Sequence, residues 1–322
     1  MIPDQLGLFD DSLPTKISDL GLEALQRKMP AKLKRVINTA NEVMSALPER
    51  VDFLHAVLCQ VGMPRRRIIE RSFERYSGAA SIKLTAGELY QRGRWIPQPL
   101  PYGTHPRLVM VHISGVAVRS RSRVIPIGES MRDFLIALGI PPNGGKTGGY
   151  TMFKRQMQAL AACRLQLGMS IGQLDRTITT QPIERFDAWF TPDSRQRSLW
   201  PNEIELSEKF YDTLVEHAVP LDHRALAAIK HSALALDIYS WLAHRLCRIA
   251  KPAGVKVSWG NLKEQFGQEY RLAKDFKKEF RQALRQVCAV YPAAGIEETL
   301  GGLVLRPSKP PIARTAIVSD RR

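Results

Sequence analysis

The segment Ala273–Val290 reads AKDFKKEFRQALRQVCAV; Val255–Ser258 and Trp259–Phe266 precede it, and Ile296–Leu300, the turn Gly301-Gly302 and Leu303–Arg306 follow. Phe276, Phe280, Leu284 and Val287 recur at helical spacing and mark a core-facing stripe. Lys274, Lys277, Lys278, Arg281 and Arg285 are left on the other side. Val255–Ser258 reads as a short strand, Trp259–Phe266 as a helix, and the two segments around Gly301-Gly302 as a hairpin. A long helix within residues 225–250 comes first. The order helix, strand, helix, helix, strand, strand is that of a winged helix. Its third helix fits a major groove about 12 Å wide, and its hairpin lies along the backbone.

The same order occurs upstream. Arg107–Val118 is an apolar-rich helix, Arg121–Ile127 a basic-then-apolar strand, Glu129–Leu138 a helix and Tyr150–Leu167 a longer basic helix. Residues 176–190 alternate like a strand, with Ile178, Ile183 and Phe186 among Thr and Arg. A connecting helix over Glu203–His217 joins the two copies. In the basic helix Phe153, Met157 and Leu160 form the buried stripe, so Thr151, Lys154, Arg155 and Gln158 point outward, a set suited to phosphates and base edges. Arg121 and Arg123 flank the strand of this copy, and Arg306 opens a basic tail after the second. One basic helix alone could be an ordinary amphipathic surface helix. Two in the same sequential setting point to a bipartite DNA site.

Towards the amino terminus, helical periodicity runs over Lys16–Ala46 and Arg50–Val61, interrupted near Pro30 and Pro48. Arg65-Arg66-Arg67 follows, and residues 77–106, rich in Gly and Pro, suit extended or looped structure. The predicted organisation is a flexible tail at 1–15, a helical region at 16–95, winged-helix domains at 96–219 and 220–308, and a basic flexible tail at 309–322. The fold class is α+β, mainly helical, with two tandem winged-helix domains after an N-terminal helical region.

Composition agrees with a nucleic-acid partner. The 322 residues hold 47 Lys and Arg against 31 Asp and Glu, a formal charge of +16, with 44% hydrophobic residues. The excess is +4 in residues 1–95, +3 in 96–219 and +9 in 220–322. Each phosphate neutralised by Lys or Arg releases condensed counterions, so such a surface favours a polyanion. No window has the roughly 18 uninterrupted apolar residues of a membrane-spanning helix. The acidic amino terminus lacks a secretory n-region, so the expected compartment is the cytoplasm. Cys59, Cys163, Cys247 and Cys288 are far apart in apolar surroundings and read as reduced thiols.

Catalytic chemistry finds no support in the pattern. Gly145-Lys146-Thr147 suggests a phosphate-binding P-loop, but the Gly that this motif requires five residues before Gly145 is Ile140 here. The Gly-rich loop could still seat a DNA phosphate on its backbone N–H groups. A rolling-circle nickase needs a His-apolar-His metal pair, and none of the seven histidines has another two positions away. The expectation is no catalytic residue, no metal and no cofactor.

Gln5-Leu6-Gly7-Leu8-Phe9 displays three large apolar side chains on a short, acidic, turn-rich tail. It resembles the pentapeptide by which bacterial proteins dock on the replicative sliding clamp, with Gly7 as the departure. Leu8 and Phe9 would fill an apolar pocket, with Leu6 beside them and Gln5 adding an orienting hydrogen bond. The alternative is a tail folded back on its own domain.

A broader resemblance rests on Pro101-Tyr102-Gly103-Thr104-His105-Pro106-Arg107-Leu108, on Ile127-Gly128-Glu129-Ser130 with Phe134 and Leu138-Gly139-Ile140, and on Gly144-Gly145 leading into Phe153–Arg164. These stretches resemble the plasmid-encoded RepA replication initiators over roughly residues 70–290. The resemblance implies binding to repeated origin sequences, opening of adjacent AT-rich duplex and recruitment of host replication proteins, the helicase machinery included. It also implies that homodimers form. The rival reading is a winged-helix transcriptional repressor, which would use the same helices without melting DNA.

Overall fold

Residues 31–91, 93–145, 148–185 and 203–312 are described in the computed structural model. They divide into two units, Phe53–Ala218, and Met1–Asp52 together with Val219–Arg322. Helix α1 (Ala31–Ser45) belongs to the second unit, and the chain passes into the first within strand β1 (Val51–His55). His55 then opens helix α2 (Ala56–Gln60), its Nδ1 accepting the Val57 N–H at 3.1 Å.

Within the region expected to be helical at 16–95, the described residues mix helix and strand in similar amounts, and the strands beyond residue 77 agree with the extended structure expected over 77–106. Arg50–Val61, read as one helix, is β1 followed by the short α2, and four strands come next: β2 (Ser72–Ser77), β3 (Ala80–Thr85), β4 (Glu88–Gln91) and β5 (Arg94–Pro97). The physical reason is a period of two. Ala80, Ile82 and Leu84 are buried while the residues between them are not, which only a sheet can satisfy.

Helix α3 (Thr104–Ser120) is buried along most of its length and stops at Arg121, which adopts the left-handed conformation with φ 52°. Strand β6 (Val124–Pro126) follows, then helix α4 (Met131–Ala137), capped by Ser130, whose Oγ accepts the Asp133 N–H at 3.1 Å. Helix α5 (Gly149–Ala162) ends short of the predicted residue 167, because Cys163 turns extended (φ −78°, ψ 142°). Strand β7 (Arg164–Ile171) then pairs with β3, setting Leu165 and Leu167 opposite Leu84 and Ile82. With β8 (Leu174–Thr180) this gives an antiparallel sheet in the order β2-β3-β7-β8. Strands β9 (Ile183–Arg185) and β10 (Glu203–Leu206) build a separate sheet in the order β6-β10-β9. The connecting helix expected from Glu203 therefore begins later, as α6 (Glu208–Glu216), where Ser207 accepts the Phe210 N–H. Phe186 lies outside the described residues.

Strand β11 (Ala218–Asp222) returns the chain to the second unit. The long helix expected within 225–250 is α8 (Ala233–Arg245), capped by Ser232, and a shorter helix, α7 (His223–Ile229), capped by Asp222, precedes it. Next come β12 (Val255–Ser258), α9 (Trp259–Phe266), α10 (Ala273–Val290), β13 (Ile296–Thr299) and β14 (Gly302–Leu305), at or within a residue of the positions their periodicity indicates. The sheet order is β12-β14-β13. Phe266, Phe276 and Phe280 are fully buried, with ring centroids 5.4–5.8 Å apart for the pairs that Phe280 makes, and Trp241 adds to Phe266 at 5.3 Å. Gly302 is required where β14 meets β12, since a Cβ there would stand 2.0 Å from the Val257 carbonyl oxygen. Helix α1 lies against α7 and α10.

Candidate nucleic-acid interface

Helix α10 separates its two sides sharply. At about 100° of rotation per residue, Lys274, Lys277, Lys278, Arg281 and Arg285 fall within a stripe roughly 100° wide. Phe276, Phe280, Leu284 and Val287 occupy the buried side. Lys274, Lys278 and Arg285 are exposed, whereas Lys277 and Arg281 are partly covered. The cover is Trp259 at the start of α9: the Lys277 Nζ lies 5.4 Å and the Arg281 guanidinium carbon 5.1 Å from its ring centroid. A cation over an indole face is attracted by the ring quadrupole, at about 0.5–1 kcal/mol for an exposed site. The indole thus sets the direction of two long side chains that would otherwise sample many rotamers.

The hairpin next to this stripe is acidic. Glu298 on β13 accepts from both the Nε and Nη2 of Arg281 at 2.7 Å, and Glu297 pairs with Arg306 at 2.7 Å. Arg281 and Arg306, both expected at DNA, are therefore engaged within the protein. These pairs are solvent-accessible, and exposed ion pairs are worth only about 0–1 kcal/mol, so an arriving phosphate can compete for the guanidinium. Trp259, Glu297 and Glu298 escaped the sequence reading. A Trp at the first position of a predicted helix, directly after its neighbour strand, was a visible signal; the Glu-to-Arg pairing across non-local elements was not.

In the first unit, Thr151, Lys154, Arg155 and Gln158 on α5 repeat the spacing of Lys274, Lys277, Lys278 and Arg281 residue for residue. Phe153 and Met157 answer to Phe276 and Phe280 in the same way. Thr151 is exposed and the other three are half-buried. The Thr151 hydroxyl donates to the Gly145 carbonyl at 2.8 Å. At the Gly-rich loop expected to seat a phosphate, two N–H groups at the start of α5 already have partners. Asn143 already takes the Gly149 N–H on its side-chain oxygen at 2.6 Å and the Tyr150 N–H on its backbone carbonyl at 3.2 Å. Lys146 and Thr147 lie outside the described residues.

Arg121 is exposed at the end of α3. Arg123 instead bridges Glu184 and Glu205, each at 3.0 Å, and so ties β6 to β9 and β10. The stretch that carried the resemblance turns out to organise packing. The Tyr102 N–H donates to the buried Gln156 side chain at 2.8 Å, and Arg107, 6% exposed, donates to the carbonyls of Pro64 and Gly103 at 3.1 and 2.7 Å. Gln5, Leu6, Leu8 and Phe9 lie outside the described residues, as do Arg314, Arg321 and Arg322.

Titratable groups elsewhere serve the interior. Burial, reinforced by the neighbouring His217, pulls His55 down to about 4, so it is neutral at pH 7, and its Nε2 pairs with the Thr213 hydroxyl at 2.8 Å. Burial pushes the Cys163 thiol up to about 12, far from a nucleophilic thiolate. Among the described residues no group of three or more His, Cys, Asp or Glu is arranged to hold a metal ion, and no helix is long and apolar enough to cross a membrane.

The family model described as plasmid-encoded RepA protein matches residues 100–261. No curated protein matches the chain. Among solved structures, the chain is similar to the crystal structure of selenomethionine derivatives of domains 2 and 3 of RctB. The sequence identity is 13% and the TM-score 0.45, covering 78% of this chain and 96% of that one.

Proposed function

Because the chain belongs to the family of plasmid-encoded RepA proteins, we propose that it initiates plasmid replication by binding repeated origin DNA through two winged-helix modules. Residues 96–219 form the first, with α5 as its groove helix; residues 220–308 form the second, with α10. The observation that carries this reading is the recurrence of one outward set, at positions i, i+3, i+4 and i+7, on α5 and on α10, each preceded by a helix, a short strand and a second helix. Each set belongs to the same succession of elements and to a three-stranded sheet ordered first strand, third, second. The β7–β8 hairpin is an insertion in the first module, between its third helix and its small sheet. Lys274, Lys277, Lys278 and Arg285, with Thr151, Lys154, Arg155 and Gln158, supply phosphate and base contacts. Arg121 adds a phosphate contact at the module edge. Arg281 and Arg306 exchange a glutamate for a phosphate on binding, and Arg123 acts through the sheet it holds.

Opening comes from several bound protomers bending and stressing adjacent AT-rich duplex, whose flexible steps cost least to distort. The protein works without catalytic residues or cofactors. The test uses labelled origin repeats followed by an AT-rich segment. Tight, salt-sensitive binding together with single-stranded reactivity in that segment is the expected result. Binding without reactivity would identify a repressor, and a strand break would identify a nickase.

Gln5, Leu6, Leu8 and Phe9 dock on the replicative sliding clamp in this reading, bringing host machinery to the opened site. A chain lacking residues 5–9 should bind repeats normally and lose clamp retention in a pull-down. Undiminished retention removes the docking role of the tail.

A further inference from the structure

The β4–β5 hairpin carries a feature that duplex reading does not use. Tyr90 and Trp95 sit directly opposite each other across it, edge to face with ring centroids 5.5 Å apart, and are 59% and 65% exposed. Leu89 and Ile96 point to the other face, where they are half-buried and anchor the hairpin. Its base is fixed on both sides. Gly87 comes so close to the end of α5 that a Cβ would stand 2.0 Å from the Ala162 oxygen, and Arg71 donates to the carbonyls of Ala86, Gly87 and Gln98 at 3.0–3.4 Å. Arg94 is exposed beside the turn, where Gly93 takes φ 79°. The result is a braced aromatic pair rooted on the helix proposed to read DNA; by strand alternation Glu88 shares its face, and Arg94 stands at the turn on the Leu89–Ile96 side.

We propose that this hairpin binds single-stranded DNA, with unpaired bases stacking on Tyr90 and Trp95 and Arg94 taking a neighbouring phosphate. Paired bases keep their π-faces inside the duplex and could not use such a platform, whereas every unpaired base offers one regardless of sequence. The net charge of +16 over the whole chain favours a polyanion above an apolar protein partner. This assignment rests on the reading of the chain as an origin-opening protein, since opening is what supplies unpaired bases next to it.

The experiment measures the full chain against two probes, a labelled oligothymidine and a labelled repeat duplex. Tyr90→Ala combined with Trp95→Ala is expected to weaken oligothymidine binding about 10- to 100-fold and to leave duplex affinity within about twofold. Tyr90→Phe combined with Trp95→Phe keeps the ring faces and should retain most of the single-strand affinity. An oligothymidine affinity untouched by the alanine pair, an equal loss on both probes, or no binding of oligothymidine by the parent chain each overturns the proposal. Failure of the origin reading would appear separately, as a parent chain that ignores the repeat duplex.

Discussion

Reversing Lys277 and Arg281 together to Glu is expected to weaken repeat binding by at least about 100-fold while the chain stays folded. Each contact to a base edge or phosphate is worth about 1–3 kcal/mol, and reversal also adds repulsion from the backbone. Both cations lie over Trp259, so the change costs their ring contacts too, at about 0.5–1 kcal/mol each. That loss is too small to unfold a unit whose helix α10 is anchored by Phe276, Phe280 and Val287, all fully buried. Glu at 281 would also face Glu298, which makes the hairpin more acidic where DNA should approach. The check is a salt titration of affinity on the variant and on a control with Lys251, in the turn before β12, reversed. The variant's log-log slope should fall by roughly two relative to the parent. Equal affinities for variant and parent would remove α10 from the interface.

Asp222→Ala is expected to destabilise the second unit by about 3–5 kcal/mol, the cost of leaving a buried charge without its partner. Asp222 is 1% exposed and takes three hydrogen bonds from one residue: the Arg224 N–H at 2.9 Å, its Nε at 3.1 Å and its Nη2 at 2.7 Å. The first caps α7. The other two hold a guanidinium whose Nη1 reaches the carbonyls of Glu42 and Ala46 at the end of α1, at 2.9 and 3.0 Å. Removing the carboxylate therefore loosens α7, Arg224 and the end of α1 together. The Asp222 N–H also donates to the Tyr239 hydroxyl at 2.9 Å, and burial holds that phenol well above its ordinary pKa, so it stays protonated. Urea denaturation followed by tryptophan fluorescence measures the effect. Asp222→Asn, which keeps the cap but not the charge, should fall between Ala and the parent. A midpoint unchanged in Asp222→Ala would show that solvent replaces the carboxylate without cost.

The elements over residues 255–305 were legible because their signals are local. Phe276, Phe280, Leu284 and Val287 specify one face of α10 without reference to anything else, and Gly301-Gly302 marks a turn between two short segments. The first half was harder to read because its partners are distant. Residues 164–167 continue the helical pattern of α5 well enough to be read as helix. They leave it because Leu165 and Leu167 gain an apolar layer against Leu84 and Ile82 on a strand some eighty positions earlier in the chain. Glu203–Leu206 likewise becomes strand by pairing with Val124–Pro126. Local propensity decides such a segment only when no sheet edge competes for it.

The candidate site divides along the same line. Charge, its rise toward the carboxyl terminus and the twofold recurrence of a basic amphipathic helix are properties of the chain order, because helical rotation per residue is constant and needs no tertiary information. Which cations are already engaged by carboxylates, and which aromatic rings face outward, depended on elements far apart in sequence meeting in space. Arg123 and Arg281 look alike along the chain, yet Arg123 bridges two strands through Glu184 and Glu205 while Arg281 lies over Trp259 beside Glu298. The physical reason is that Coulomb attraction and ring contact fall off within a few ångströms, and only folding decides what comes within that distance.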